Sequence, residues 1–179
     1  MSALPSAYGW LTKLDPLPRM IAEALALFGT VEAAATANSP TIISWADEIG
    51  GKVEEVYQAD SIPWCGLFMA VVAKRAGKKV PTDPLWALNW TQFGVAAGQP
   101  MLGDVMTFVR PGGGHVGLYV GEDVTAYHVL GGNQRDQVCF TRIAKSRLHR
   151  VRRPAYTVSP STVRPYILKG AGALSRNEV

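Results

Sequence analysis

Two cysteines and three histidines are the side chains in this chain best suited to nucleophilic and acid–base chemistry. Cys65 follows Pro63 and Trp64 and opens a run of mostly apolar residues that ends at Gly77. Proline suits the first turn of a helix and glycine its end, so the run predicts a buried helix with a thiol in its first turn. The positive end of the helix dipole favours the thiolate, which is the nucleophilic form of cysteine. A cysteine that only fills space in a core fits the same position.

A base for this thiol is expected directly after the glycine-rich residues 111–114. His115 opens the alternating segment 115–121, in which the apolar residues face one side and His115 faces the other. Gly117 on the same side leaves room for another group to approach the imidazole. The alternative is a histidine that is simply exposed or hydrogen-bonded at the start of a strand.

Asn133 is the candidate for a third group that orients the histidine. It lies in the sequence Gly-Gly-Asn-Gln at 131–134, just after the segment that carries His128. An asparagine can accept a ring N–H of histidine and fix its tautomer, as in a Cys-His-Asn set. The same four residues also suit a turn selected for its backbone angles.

The motifs of metal and nucleotide sites are missing from the sequence. Cys65, Cys139 and the histidines include no CxxC or HExxH pair, so a zinc site is not predicted. The glycines at 112–114 are not followed by Lys and Ser or Thr and do not lead into a helix, which argues against a phosphate-binding loop. Nucleophilic chemistry by a thiol and an imidazole requires no metal or organic cofactor.

The periodicity predicts which elements hold these residues. Helical spacing is seen at 18–28, in a segment that opens at Asn38-Ser39-Pro40, at 61–77 and in a segment that starts at Asp83-Pro84. From Gly103 onward the period is two, and five strands are predicted at 104–109, 115–121, 126–130, 137–143 and 147–153. Helices followed by consecutive strands indicate an α+β fold, with the cysteine helix packed on an antiparallel sheet.

The 179 residues suit one domain with short appendages. We expect a loosely attached arm at 1–17, the domain at 18–154 and a basic extension at 155–179. Residues 142–179 hold nine Lys and Arg against one acid, a net +8, whereas residues 1–141 hold nine against 13, a net −4. A basic end on an acidic body suggests a polyanionic partner, although a solvated basic face is equally compatible. No apolar run follows a basic start, so synthesis in the cytoplasm without a secretory signal is expected.

Four short motifs together resemble the CHAP/NlpC-type cysteine hydrolases. They are Pro-Trp-Cys at 63–65, Gly-Asp at 103–104, Gly-His-Val-Gly at 114–117 and Gly-Gly-Asn-Gln at 131–134. The resemblance is strongest to a bacteriophage and bacterial branch that cuts peptidoglycan, often as endolysins. It implies a papain-like core with Cys65 as nucleophile, His115 as base and Asn133 as the orienting residue. Many CHAP domains carry a glutamate where this chain has Gly131, so Asn133 must act alone or with Gln134.

The resemblance implies a cysteine endopeptidase or N-acetylmuramoyl-L-alanine amidase, monomeric and free of cofactors. Its substrate would be peptidoglycan, reached after release by a holin or another export route, with the basic extension on anionic wall polymers or membrane and no specific nucleic acid. Candidate groove residues, each equally compatible with a place in the core, are Trp64, Trp86, Trp90, Tyr119 and Gln134. Two alternatives stay open: a thiol-dependent acyltransferase or deamidase, and a non-catalytic basic module that binds the wall or nucleic acid.

Overall fold

The structure, a computed structural model, has helices in the first half of the chain and strands in the second, as the helical spacing and the alternation predict. The structure describes residues 2–34, 37–170, 172–176 and 178. The α-helices are α1 (Arg19–Ala26), α2 (Pro40–Ile49), α3 (Lys52–Val56) and α4 (Cys65–Arg75). Short 3₁₀ helices span Ser6–Lys13, Ala87–Gln92 and Lys145–Arg147. The strands are β1 (Val95–Ala96), β2 (Val105–Arg110), β3 (Gly113–Glu122), β4 (Ala126–Gly131), β5 (Cys139–Ala144) and β6 (Leu148–Arg153).

The strands form one six-stranded sheet in the order β1-β6-β2-β3-β4-β5, with every neighbouring pair antiparallel. This confirms the predicted α+β class and the antiparallel sheet. The five predicted strands correspond to β2 through β6. Strand β1 is not among the predicted strands because two residues are too short to show alternation.

The cysteine helix α4 lies at the centre of the main core. Every residue from Cys65 to Ala73 is buried, as expected for a helix that is apolar on all sides. It packs against α1, α2 and the face of β3 that carries Val116, Leu118 and Val120. The opposite face of the sheet covers a smaller apolar cluster that includes Phe108 and Tyr119. Among the described helices, none is long and apolar enough to cross a membrane.

The N-terminal residues 1–17, expected to be a loosely attached arm, are instead packed onto the domain where the structure describes them. Leu11 is fully buried, and the ring of Tyr8 stacks on Phe140 with centroids 3.9 Å apart. The Tyr8 hydroxyl also hydrogen-bonds Nδ1 of His128 at 2.8 Å. A 3₁₀ helix of eight residues offers too few apolar positions for a visible period, and tertiary contacts supply the burial.

Two further predictions are corrected in the segments before and after α4. Residues 52–60, between two of the predicted helices and without a predicted element of their own, contain α3. The helix expected to start at Asp83-Pro84 is a turn followed by the 3₁₀ helix Ala87–Gln92. Both elements are short and are shaped by their contacts, which local periodicity does not report.

Where the structure describes it, the basic extension 155–179 is irregular, as predicted, but it is packed onto the domain. Leu168 N–H donates to the carbonyl of Glu122, and Ser175 N–H donates to the carbonyl of Arg142, each at 2.8 Å. Four of the nine basic side chains in 142–179 lie in ion pairs, which are Arg142–Asp123, Lys145–Glu122, Arg147–Glu178 and Arg153–Asp104. Carboxylates of the acidic body therefore compensate part of the basic charge.

Candidate active site

Cys65 is the first residue of α4, where the thiol meets backbone N–H groups that have no partner inside the helix. Burial has the largest effect on the thiol and raises the pKa of Cys65 above its usual value, because the side chain is only 5% exposed. The N–H groups of Val116, Gly66 and Cys65 act in the opposite direction and lower the pKa of the thiol, and so does the positive charge of Arg110. Cys65, expected to favour the thiolate, is thus a neutral thiol in the resting structure. The N–H groups that can stabilise its anion are already in place.

Gly66 allows a loop to lie directly against the start of α4. A Cβ atom at this position would lie 2.3 Å from the carbonyl oxygen of Pro84 and 2.6 Å from that of Leu85. No side chain fits in that space, so only glycine lets the loop approach this closely. The loop brings Trp86, which is 74% exposed, to the rim of a cavity beside Cys65.

The cavity beside Cys65 has a volume of about 250 Å³ and opens to solvent. Its walls combine apolar side chains with exposed backbone and one cationic side chain, that of Arg110. The lining residues are Pro63, Cys65, Leu85, Trp86, Ala87, Leu88, Asn89, Arg110, Gly112, Gly113 and Gly114. An acyl group that entered this cavity would lie next to Cys65.

His115, predicted as the base, lies near the start of β3 and is 1% exposed. The residue after it, Val116, supplies one of the N–H groups that act on the Cys65 sulfur, so the backbone next to His115 lies against the thiol. Burial lowers the pKa of His115 to about 4, so the imidazole is neutral near neutral pH. Its Nε2 lies 3.0 Å from Oε1 of Gln134.

Gln134 is the partner that fixes the tautomer of His115. Its Oε1 also accepts a hydrogen bond from the Thr141 hydroxyl at 2.7 Å. Its Nε2 donates to three backbone carbonyls, those of Val129, Gly131 and Cys139. These bonds assign the orientation of the amide, and an amide oxygen only accepts, so His115 must carry its proton on Nε2. The lone pair of Nδ1 is left free to accept a proton.

The orienting role predicted for Asn133 belongs to Gln134 in this geometry. Asn133 is buried in the tight turn after β4 and has a φ of +54°, in the left-handed region. The interpretation of Gly-Gly-Asn-Gln as a turn therefore describes Asn133 well. A backbone bend at 133–136 determines which amide points inward, and two neighbouring amide residues carry no local signal for it.

The position of Gly131 leaves little room for a side chain. A Cβ atom on Gly131 would lie 3.0 Å from Oε1 of Gln134 and 3.2 Å from Nε2 of His115. The Gln134 amide thus fills the space in which a side chain at position 131 would have to fit, and a neutral amide stands next to the imidazole.

Three of the predicted groove residues are core residues instead. All three are fully buried: Trp64, Trp90 and Tyr119. The indole N–H or phenol hydroxyl of each makes a hydrogen bond inside the protein. Trp64 Nε1 donates to Glu32 Oε2 at 2.8 Å, Trp90 Nε1 to the Pro84 carbonyl at 2.9 Å, and Tyr119 Oη to Glu122 Oε1 at 3.1 Å. Of the aromatic candidates, Trp86 alone lines the cavity beside Cys65.

Neither a scan against protein-family models nor a search of curated proteins found a match for this chain. The class of the protein is therefore described from its fold and its side chains. Both cysteines are free thiols. Within the described residues, no group of three or more His, Cys, Asp or Glu side chains is placed to hold a metal ion. At this level the chain is an α+β protein with a thiol at a buried helix start and an imidazole held by an amide on the strand whose backbone meets that thiol.

Proposed function

We propose that the protein is a papain-like cysteine hydrolase of the CHAP/NlpC type that cleaves amide bonds of peptidoglycan. One arrangement carries the proposal. Cys65 lies at the start of α4 against the N–H of Val116, the residue after His115, and the bond between Nε2 of His115 and Gln134 leaves Nδ1 of that histidine to act as base. Neutral imidazole and neutral thiol are the resting forms from which a thiolate–imidazolium pair is generated.

The proposed reaction has two acyl-transfer steps. Nδ1 of His115 takes the thiol proton of Cys65, and the sulfur attacks the carbonyl carbon of the scissile amide. The oxyanion is stabilised by the backbone N–H groups at the start of α4. His115 then protonates the leaving amine as the C–N bond breaks, which gives a thioacyl-enzyme. The same imidazole activates a water molecule, whose attack releases the carboxylic acid and restores the thiol.

The choice of peptidoglycan as substrate rests on the resemblance in four motifs, supported by the cavity. Trp86 at the rim offers an exposed aromatic face for a sugar or peptide, and Arg110 offers a cation for a carboxylate of the stem peptide. An endolysin-type role would have the protein reach the wall after release from the cytoplasm. Anionic wall polymers would then contact basic side chains of the C-terminal end outside the four ion pairs.

Mass spectrometry of purified peptidoglycan digested with the wild type, Cys65→Ala and Cys139→Ala tests the proposal. We expect new fragments from the wild type and from Cys139→Ala, and none from Cys65→Ala. New N-termini within the stem peptide indicate an endopeptidase, and free lactyl groups on muramic acid indicate an amidase. An inactive wild type contradicts the proposal. Activity that persists in Cys65→Ala points to a non-catalytic binding module or to a different nucleophile.

A second assay separates hydrolysis from acyl transfer. The wild type is incubated with peptidoglycan fragments and an added primary amine, and the product masses are measured. Hydrolysis adds water to each cleaved bond, whereas an acyltransferase attaches the amine in its place. A product dominated by amine adducts would favour the acyltransferase alternative over the hydrolase.

A further inference from the structure

A segment near the C-terminus folds back toward the candidate site and buries a carboxylate beside it. Glu178 is 1% exposed, and its two carboxylate oxygens accept bonds of 2.7 and 2.6 Å from the guanidinium of Arg147. The Ser175 hydroxyl also hydrogen-bonds the Glu178 carboxylate. A buried carboxylate with this many donors is held in one place.

The contacts of Arg147 connect this carboxylate to the strand next to the histidine. Its Nε donates to the carbonyl of Val109 on β2 at 3.1 Å. The adjacent residue Phe108 pairs with His115 across the two strands, and their rings stack with centroids 6.5 Å apart. The ion pair Arg147–Glu178 thus lies along the edge of the site that carries the base.

The charged groups that act on His115 are few. Glu178 favours the imidazolium, while Arg110 and Arg147 oppose it, and Glu178 has the largest effect of the three. The effect is reciprocal, because a charged His115 lowers the pKa of Glu178. The hydrogen-bond partner Gln134 is neutral, and Cys65 is the acid whose proton His115 is to receive. Glu178 is the anion that the described residues provide near this histidine.

We propose that Glu178 is a positioning residue of the site, whose carboxylate stabilises the imidazolium formed when His115 takes the proton of Cys65. The inference rests on the proposed function, because it concerns the pair that performs the chemistry. It also accounts for Gly131: the carboxylate that many CHAP domains place at that position comes here from the far end of the chain. Gln134 fixes the tautomer, and Glu178 supplies the charge.

The chemical consequence lies in the equilibrium between the neutral pair and the ion pair. Transfer of the proton from Cys65 to His115 creates a thiolate and an imidazolium in a buried site, and a carboxylate near the histidine lowers the cost of the cation. Each unit by which the pKa of His115 falls reduces the fraction of the ion pair about tenfold. Removing the charge of Glu178 should therefore make the proton transfer from Cys65 to His115 less favourable.

The test compares Glu178→Gln with the wild type in a measurement that needs no peptidoglycan. Titration of the imidazole signals by NMR gives the pKa of His115, whose signal is assigned as the one lost in His115→Gln. Glu55→Gln in α3 is the matched control, because it removes one carboxylate from an exposed position and changes the net charge equally.

We expect Glu178→Gln to lower the pKa of His115 below the wild-type value. Glu55→Gln should leave that pKa unchanged. Loosened packing alone would give the opposite sign, because solvent would return the pKa toward its usual value of about 6.5. An unchanged or raised pKa in Glu178→Gln overturns the proposal.

Glu178→Asp keeps the test decisive if the glutamine variant does not fold. Aspartate retains the charge, but its side chain is one methylene shorter. The pKa of His115 in this variant should therefore lie below the wild-type value and above the value in a folded glutamine variant. A value equal to or above the wild type overturns the proposal. If Glu178→Gln lowers the pKa of His115 as expected but the wild type does not digest peptidoglycan, the proposed function is contradicted. The effect of Glu178 on His115 is then still supported.

Discussion

Replacing Gln134 by leucine tests the central hydrogen-bond arrangement of the site. Leucine has a similar size, so it fills the space but neither accepts nor donates. Two buried donors lose their acceptor, Nε2–H of His115 and the hydroxyl of Thr141. An unsatisfied buried donor costs about 1–3 kcal/mol, so we expect a loss of about 2–6 kcal/mol in the free energy of unfolding. The carbonyls that lose the amide donor add to this.

Urea unfolding at pH 7 measures this loss. A domain of this size has a stability of about 5–15 kcal/mol, so the variant should fold. With a slope of about 2 kcal/mol per molar urea, the midpoint should fall by roughly 1–3 M. Hydrolysis should fall about 10- to 100-fold, as when a functional histidine loses the partner of its second nitrogen.

Asn133→Gly is the matched control for Gln134→Leu. Asn133 is the adjacent amide, and glycine accepts its φ of +54° without strain. Asn133 is buried, so we expect some loss of stability, but a smaller one than in Gln134→Leu, and an unchanged pKa of His115. A stability loss below about 1 kcal/mol in Gln134→Leu, or equal damage in Asn133→Gly, would refute the assignment of the orienting role to Gln134.

Three further outcomes follow from the geometry. Gly66→Ala should destabilise the protein by at least about 1 kcal/mol in urea unfolding, since its Cβ would lie 2.3 Å from the Pro84 carbonyl; an unaffected midpoint contradicts this. Trp86→Ala should leave stability within about 0.5 kcal/mol but raise KM for peptidoglycan, and an unchanged KM argues against its role in substrate binding. The pKa of His115 is about 4 in the folded state and about 6.5 when unfolded, so the unfolded state binds more protons between these values. Stability should therefore fall by about 3 kcal/mol as the pH drops from about 6.5 to about 4, and His115→Gln should lose less over that range if the reasoning is right.

The elements with strong local signals were predictable, and α4 is the clearest example. Pro63, the apolar run and Gly77 delimit a buried helix wherever it packs, and they place Cys65 in its first turn. Alternation located the strands and put His115 near the start of one, because the period of two follows from the pleat alone. These features depend on neighbours in the sequence, so the sequence reports them directly.

The remaining features depend on contacts between distant residues. Trp64, Trp90 and Trp86 look alike in sequence, yet the first two are buried and the third lies at the cavity rim. The choice between Asn133 and Gln134 depends on the path of one turn, which propensity does not resolve. Aromatic type and amide type are therefore poor guides to exposure without the packing.

The charge pattern of the C-terminal end shows the same dependence in its strongest form. A net +8 over 142–179 suggested a basic surface, but several of its cations pair with carboxylates of the body, and its one acid is buried beside the base. A lone acid in a basic segment is inconspicuous in sequence, whereas a fully buried carboxylate with two guanidinium bonds needs a reason to be there. The proposed role of Glu178 gives that reason, because a carboxylate favours the imidazolium of His115 and the neutral amide of Gln134 does not. The segment that composition marked as an appendage is thus tied to the chemistry of the site.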